Sequence, residues 1–480
     1  MSAREIAEAL TRPHLAHIVD LVAYPEPAGT VVVHGQRGVV RLFTGERHEV
    51  IAGSDPLAVT DPLAFLPYDR ERANPSPPNA SNAYPEPARR LLSFFADADR
   101  SPDLVVIHTP SHFFPDEGGH AGEHGSLDVI QSRAPFLLSG AGIPPAGRVP
   151  GYARMIDVAP TLLRLAGVDD PGALEGFEGQ AVEMMDEVPS RRVVGLLWDG
   201  APSSELLALA AEGELPAVAE LLADGSALTG GAVAEFPSVT LCNHTTALTG
   251  VGPGRHGVLG NVFYDRARGE RINANDESTW HRSAEWLRPG VRTVFERLAR
   301  ARPGSRSVCV NEAVDRGATT STMQVVRALG DTPGSSVTDF LPPATGSPHL
   351  DDRYFAWATR VDEAGLAQVL REWADPATAP YLTWWSTVVT DAGHHAGGPR
   401  SPIARNSLRD ADRRLGIFLA HLDAIGLRQQ VTFLLTADHG FEAADPGVTG
   451  SWRPALADVC GRLGVTYRDE GPGFVYLNVE

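Results

Sequence analysis

The sequence predicts an α/β protein, a mostly parallel central sheet with helices on both faces. Two observations carry this expectation. Short apolar or β-branched runs alternate with helical stretches along the chain, and several of those runs are apolar throughout, as strands buried on both faces are. The expected strands are Thr30–His34, Leu104–His108, Pro135–Ser139, Val193–Leu197, Leu382–Val389 and Val431–Thr436. The expected helices include Ser204–Leu222, Val291–Arg300, Glu363–Trp373 and Ser407–Ile425. In IDVAPTLLRLAG, Pro160 suits a first helical turn and Gly167 a stop.

Two stretches read as irregular, Asp69–Pro87 and Gly330–Pro348, each rich in turn-forming residues. A composition break at Asp186–Arg192 divides the chain into segments 1–190 and 191–480. The expected helix Leu241–Leu248 opens at a threonine, Thr240.

Composition narrows the function. At 480 residues and 43% hydrophobic, the chain can bury a large core. A formal charge of -19 argues against polynucleotides and anionic membranes as partners, because neutralising their phosphates takes a basic face. All 41 Lys+Arg positions are arginine, which excludes Schiff-base and P-loop lysine chemistry. Cys242, Cys309 and Cys460 are widely spaced and read as free thiols of a reducing compartment. The N-terminal stretch has scattered charges and no signal-type apolar core, and no run approaches a membrane span, so a cytoplasmic location is expected.

Three expected strands end in acidic or acidic-plus-histidine clusters: VVGLLWDG at Asp199, TWWSTVVTDAGHH at Asp391, and VTFLLTADHG at Asp438 and His439. Ligands of open α/β sheets gather at the carboxyl ends of strands, so these clusters are expected to share one crevice. Any one of them alone would more often be a turn or cap residue. Mixed carboxylates and imidazoles suit divalent cations, Zn²⁺ foremost with Mn²⁺ compatible.

The segment EFPSVTLCNHTTALTGVGPGRHGVLGNVFYD carries a family resemblance. Pro237, Thr240, Asn243, Thr249, Gly250, Pro253, His256, Gly257, Gly260 and Asn261 fall as in the nucleophile segment of the type I phosphodiesterase/nucleotide pyrophosphatase family, within the alkaline phosphatase superfamily. Asp199-Gly200 upstream, Asp391 to Pro399 and Asp438-His439-Gly440 downstream complete the likeness. The resemblance implies an alkaline phosphatase-like fold and a metal-dependent phosphoester hydrolase with two metal ions and a phosphothreonine intermediate on Thr240.

By the family pattern one metal takes Asp199, Thr240, Asp438 and His439, and the second takes Asp391, His395 and one further histidine. Asn243 is expected to donate to the phosphate. His394 reads as a neighbour of the site and His256 as support for the loop. The family's last histidine follows the D-H-G element, whereas here PDLVVIHTPSH, GGHAGEHGSLD, APFLLSGAGI and IDVAPTLLRLAG stand in the first 190 residues. A circular permutation accounts for that order, with 1–190 the usual second half and 191–480 the usual first, together one catalytic domain. His124 then supplies the missing ligand, with His120 its competitor and His108 and His112 weaker ones.

A cap insertion is expected at about 273–380, where Tyr354, Phe355 and Trp357 read as core more than as a base-stacking platform. The expected substrate is small and phosphorylated, a nucleotide among the options. Phosphonate hydrolase and phosphomonoesterase are the alternatives on the same site, ahead of a phosphomutase or a non-catalytic metal binder. Cys242 lacks the surroundings that a sulfatase nucleophile uses.

Overall fold

The computed structural model describes all residues except 1, 28, 46, 60–82, 116–117, 185–191, 277, 330–355, 472 and 480. The irregular stretches at Asp69–Pro87 and Gly330–Pro348 lie mostly or wholly outside the described residues, as do Tyr354, Phe355 and most of the Asp186–Arg192 break.

An eight-stranded sheet runs Thr320–Ser321, Ser307–Val310, Leu382–Thr387, Arg192–Trp198, Val431–Thr436, Phe136–Gly140, Gly225–Leu228, Gly147–Val149. Neighbours are parallel except around Phe136–Gly140, which is antiparallel to both of its partners. Every residue of Leu382–Thr387 and Val431–Thr436 is buried, the signature of a sheet covered on both faces. Trp198, Trp384 and Trp385 are among the large side chains locked inside. Burying each such side chain is worth up to ~3 kcal/mol, so these strands are fixed by their packing.

Two expected strands belong elsewhere. Thr30–Gly35 and Leu104–His108 join a second sheet of seven strands, all antiparallel, in the order Tyr467–Glu470, Phe474–Leu477, Leu104–His108, Val19–Glu26, Thr30–Gly35, Gly38–Leu42, His48–Gly53. Apolar runs report burial but not the direction of the partner strand. One face of this sheet packs on the Ser2–Leu10 and Arg453–Leu463 helices in a separate apolar cluster.

Three further expectations change. The Ser204–Leu222 helix is two helices, Ser203–Ala211 and Pro216–Ala223, because Pro216 cannot continue a helix and starts a new one. Leu382–Val389 ends as a strand at Thr387, and Val389 opens the next helix, Val389–Gly397. The stretch expected as a cap contributes two strands, Ser307–Val310 and Thr320–Ser321, to one edge of the central sheet. No described helix is long and apolar enough to cross a membrane.

Candidate metal centre and nucleophile

Leu382–Thr387, Arg192–Trp198 and Val431–Thr436 are adjacent parallel strands, so the residues following them emerge side by side. Asp199 leaves the middle strand in a tight turn. Gly200 has φ +64°, and a Cβ there would lie 2.3 Å from the Phe441 ring, so only glycine fits. The Gly200 N–H donates to Asp438 Oδ1 at 2.9 Å, tying the turn to the neighbouring strand. Asp391 and His395 stand one turn apart on the Val389–Gly397 helix, hence on one face. That helix is capped in trans by Asp362, which accepts from Val388 N at 3.0 Å and Val389 N at 3.1 Å.

His124 arrives from the other segment of the chain. Gly122 lets its loop press against the ligand helix, since a Cβ there would lie 2.5 Å from the His394 carbonyl oxygen. Gly122–Glu123 pairs with Glu442–Ala443 just beyond His439. Ser238, two residues before Thr240, is laced to the same loop: its Oγ donates to Ser126 O at 2.8 Å and accepts from Gly125 N at 3.1 Å.

Two groups of potential ligand atoms fall within the expected sets, Asp199–Asp438–His439, without Thr240, and His124–Asp391–His395. A third, His120–Glu123–His395, shares His395 and includes the competitor histidine. The hydrogen bonds fix which ring nitrogens face inward. Nδ1 of His124 donates to Ser238 O at 3.0 Å, that of His395 to Gly122 O at 3.0 Å, and that of His439 to Gly440 O at 3.0 Å. A carbonyl only accepts, so each Nδ1 carries the proton, and each Nε2 of the neutral ring presents a lone pair. The His124 and His395 Nε2 atoms lie 3.2 Å apart, and both face Asp391 Oδ1, at 3.9 and 3.5 Å. Asp199 Oδ1, Asp391 Oδ1, Asp438 Oδ2 and His439 Nε2 are buried without a hydrogen bond, although His439 Nε2 lies 3.2 Å from Asp438 Oδ2. Lone pairs converging on lone pairs, with orphaned carboxylate oxygens among them, fit divalent cations.

Burial and the clustered charges compete at these groups. Burial first, and then the neighbouring Asp438 and Asp391 charges, raise Asp199 well above the ordinary carboxylate range. Asp391 is pushed up to about 7, mainly by burial. Burial also opposes ionisation of Asp438, but His439 and His244 outweigh it and hold that carboxyl below its usual value. Burial, then His439 and His395, lower His124 well below the usual imidazole range, while burial lowers His395 to about 4.

Thr240 is the first residue of the Thr240–Thr249 helix and is 8% exposed. It lines a pocket with Asp199, Asp391 and His244, walled farther out by Trp280 and Trp357. Trp357 therefore edges the pocket and is 36% exposed, not core. Asn243 is turned away from the Thr240 pocket. Its Oδ1 accepts from Glu235 N at 2.7 Å, and its Nδ2 donates to Pro237 O at 3.0 Å and Val239 O at 3.2 Å. Helical side chains tilt toward the N-terminus, so Asn243 reaches back to brace the loop before Thr240 instead of donating to a phosphate. Asn261 Oδ1 accepts from Leu241 N at 3.0 Å, beside the start of the Thr240–Thr249 helix.

His394 donates Nδ1–H to Thr390 O at 2.7 Å and stacks on Phe441, outside all three groups. His256 accepts from Val258 N at Nδ1 and faces Thr246 Oγ1 with Nε2, beneath the nucleophile helix. His108 and His112 are buried beside Phe114 and belong to none of the ligand groups. The three cysteines are free and buried. Sequence reasoning assigned no role to His244, Glu312 or Asp362; the i, i+4 spacing of His244 from Thr240 was the available signal for the first.

A mostly parallel sheet whose strand ends gather carboxylates and imidazoles near a helix-borne threonine defines an α/β class with groups suited to metal ions. The chain belongs to the type I phosphodiesterase/nucleotide pyrophosphatase family of the alkaline phosphatase superfamily, whose model matches residues 193–479, more than half of its length. It is similar to a venom phosphodiesterase of Naja atra, 27% identical over 212 residues, 44% of this chain and 22% of the relative. It is also similar to an uncharacterised pyrophosphatase/phosphodiesterase of Schizosaccharomyces pombe, 24% identical over 218 residues, 43% of this chain and 37% of the relative. The chain thus spans well under half the length of these curated relatives. Among solved structures, murine ectonucleotide pyrophosphatase/phosphodiesterase 5 aligns at TM-score 0.36 and 16% identity, covering 53% of this chain and 59% of that one. Phosphonoacetate hydrolase from Sinorhizobium meliloti 1021 aligns at TM-score 0.35 and 23% identity, covering 54% and 59%.

Proposed function

We propose that this chain hydrolyses phosphoesters of the diester or pyrophosphate type through a covalent phosphothreonine on Thr240. One observation carries the reading: the lone pairs of His124, His395 and His439 and the orphaned oxygens of Asp199, Asp391 and Asp438 converge beside a helix-initial threonine. Asp199, Thr240, Asp438 and His439 would hold one divalent ion, Zn²⁺ being the best match, and Asp391, His395 and His124 a second. Bound there, such ions lower the pKa of a coordinated hydroxyl or water and neutralise phosphate charge.

The chain's own residues do the rest. The helix start orients Thr240 toward the pocket, and Asn243 and Ser238 fix the loop before it. Attack by Thr240 Oγ1 on phosphorus forms the phosphothreonine and expels the first alcohol or phosphate; water then breaks the Thr–phosphate bond and restores the hydroxyl.

The pocket favours a diester. No arginine is among the described residues lining it, and Trp280 and Trp357, with ring centroids 6.4 Å apart, offer flat apolar walls. A diester brings one negative charge and a second, uncharged substituent for those walls, as a nucleotide does; a monoester or carboxyphosphonate brings extra charge that no described arginine of the pocket would share with the ions. Turnover of an aryl phosphodiester is expected to exceed that of the matching aryl monoester by about tenfold or more. Faster monoester or phosphonate cleavage would overturn the choice of substrate.

The circularly permuted, single-domain organisation is part of the same reading. Supporting it, Phe136–Gly140 pairs with both Val431–Thr436 and Gly225–Leu228, Phe474–Leu477 pairs with Leu104–His108, and Arg89 bridges to Glu235. Fragment 191–480 is expected to be insoluble or to bind a single ion when expressed alone; a soluble fragment with two ions and full activity would sink the idea.

A further inference from the structure

His244 and Glu312 stand apart from every ligand set above, yet His244 meets the first one directly. His244 is 5% exposed and Glu312 is fully buried. The His244 Nδ1–H donates to Glu312 Oε2 at 2.8 Å. Its Nε2 has no hydrogen-bond partner and lies 3.5 Å from Asp438 Oδ2 and 3.7 Å from Asp199 Oδ2. His439 Nε2 lies 3.7 Å from Asp199 Oδ1 and 3.2 Å from Asp438 Oδ2, so the two imidazoles address opposite oxygens of Asp199 and the same oxygen of Asp438.

Glu312 is itself heavily anchored. Trp384 Nε1 donates to Oε2 at 3.0 Å, Ser386 Oγ donates to Oε2 at 2.9 Å, and Val314 N donates to Oε1 at 3.1 Å. Trp384 and Ser386 sit on the strand Leu382–Thr387, which leads into the Asp391 helix. One buried carboxylate is therefore pinned to the strand that delivers the second ligand group and reaches, through His244, the two acids of the first. The neighbours of Glu312, Asn311 and Ala313, line the Thr240 pocket.

The partner of His244 also differs in kind from those of the other three histidines. Backbone carbonyls fix His124, His395 and His439 with a lone pair inward. Glu312 accepts the Nδ1 proton of His244, and Nε2 stands toward Asp438 Oδ2 and Asp199 Oδ2, where a second ring proton would be donated to those carboxylates.

We propose that Glu312 and His244 are a positioning pair that orients Asp199 and Asp438 for the first metal ion. This rests on the phosphoesterase reading above and adds to it the residues that set metal affinity. The pair touches neither the ion nor the reacting phosphorus; it acts on the carboxylates.

The test is Zn²⁺ competition against a chromophoric chelator, with metal content and circular dichroism, on wild type, Glu312→Gln and His244→Asn. Glutamine keeps the shape of Glu312 and an acceptor oxygen while removing its charge. Both variants are expected to bind two ions at saturating Zn²⁺, with one affinity weakened by ~10- to 100-fold and activity recovered by excess Zn²⁺. The double variant should lose no more than Glu312→Gln alone, because the glutamate acts through the histidine. Affinities within ~2-fold of wild type in both single variants would reduce the pair to a packing element and overturn the proposal. Saturation at one ion in His244→Asn would overturn it too, by making His244 a ligand. Should Glu312→Gln fail to fold, His244→Asn carries the test by itself. Wild type binding no Zn²⁺ would bring down the phosphoesterase reading together with this one, whereas unaltered variants beside a two-metal wild type would bring down this one alone.

Discussion

The two main ligand groups are built in opposite ways. Asp199, Asp438 and His439 have side chains 6%, 0% and 0% exposed and all follow neighbouring strands of one sheet. His124, Asp391 and His395 are 9%, 23% and 18% exposed, and they come from a loop near residue 120 and a helix near residue 390. The first group is a product of the sheet: once the strands pair, its residues have nowhere else to go. The second is a seam between distant parts of the chain, held by Gly122–Glu123 against Glu442–Ala443 and by Ser238. A buried group contributes to stability as well as to chemistry, whereas a seam residue serves mainly the site.

The largest expected effect is at Thr240, the proposed nucleophile, which lines one pocket with Asp199 and Asp391. Thr240→Ala is expected to lower diester turnover by on the order of 10⁴-fold or more while both ions stay bound. Steady-state kinetics with metal analysis decide it, and turnover near wild type would remove Thr240 from its role. The next effect separates the groups. His124→Ala should lose one ion of two with little change in the unfolding free energy of the metal-free protein. Asp438→Ala should also lose one ion, and in addition leave Gly200 N without its acceptor, at a cost of ~1 to 3 kcal/mol. Equal stability losses in urea unfolding would erase the distinction drawn above.

The smallest effect concerns acid. Burial, with Arg100 adding to it, lowers His256 to about 3, and its two ring nitrogens are already committed to Val258 and Thr246. The unfolded imidazole titrates near the ordinary value of 6.5, so as pH falls below that point the unfolded state takes up a proton that the native state refuses. Stability is then lost between pH 6.5 and about 3, by up to ~1.4 kcal/mol per pH unit from this residue. His256→Phe should show a shallower decline between pH 7 and 5 in urea midpoints. An unchanged slope would assign the acid sensitivity to other groups.

The contrast also tells what a sequence can disclose. Asp199, Asp391 and Asp438 were legible because each closes an apolar run, and strand ends in an open sheet meet at one edge. His124 was reachable only through the order of motifs along the chain, since nothing in its own surroundings marks a histidine in a glycine-rich loop. The seven-stranded antiparallel sheet was not legible, because Thr30–His34 and Leu104–His108 look like any buried strand until their partners are known. Asn243 was misassigned for a reason internal to the helix: three residues past Thr240 its side chain points back along the axis, and its hydrogen bonds go to Glu235, Pro237 and Val239. Glu312 carries no sequence mark at all, being a single acid whose importance depends on what the fold places against it.

The seam has a consequence for how the molecule is made. On a ribosome the chain emerges in order, and His124 waits for His395 across a separation of 271 residues. Leu104–His108 likewise waits for Phe474–Leu477, and Phe136–Gly140 for Val431–Thr436. Strands left unpaired for that long are aggregation-prone, and contacts of such span form slowly. Synthesis temperature and chaperone supply should therefore govern the yield of this protein more than its final stability does, and an ion bound by the proposed His124 group would report a finished fold.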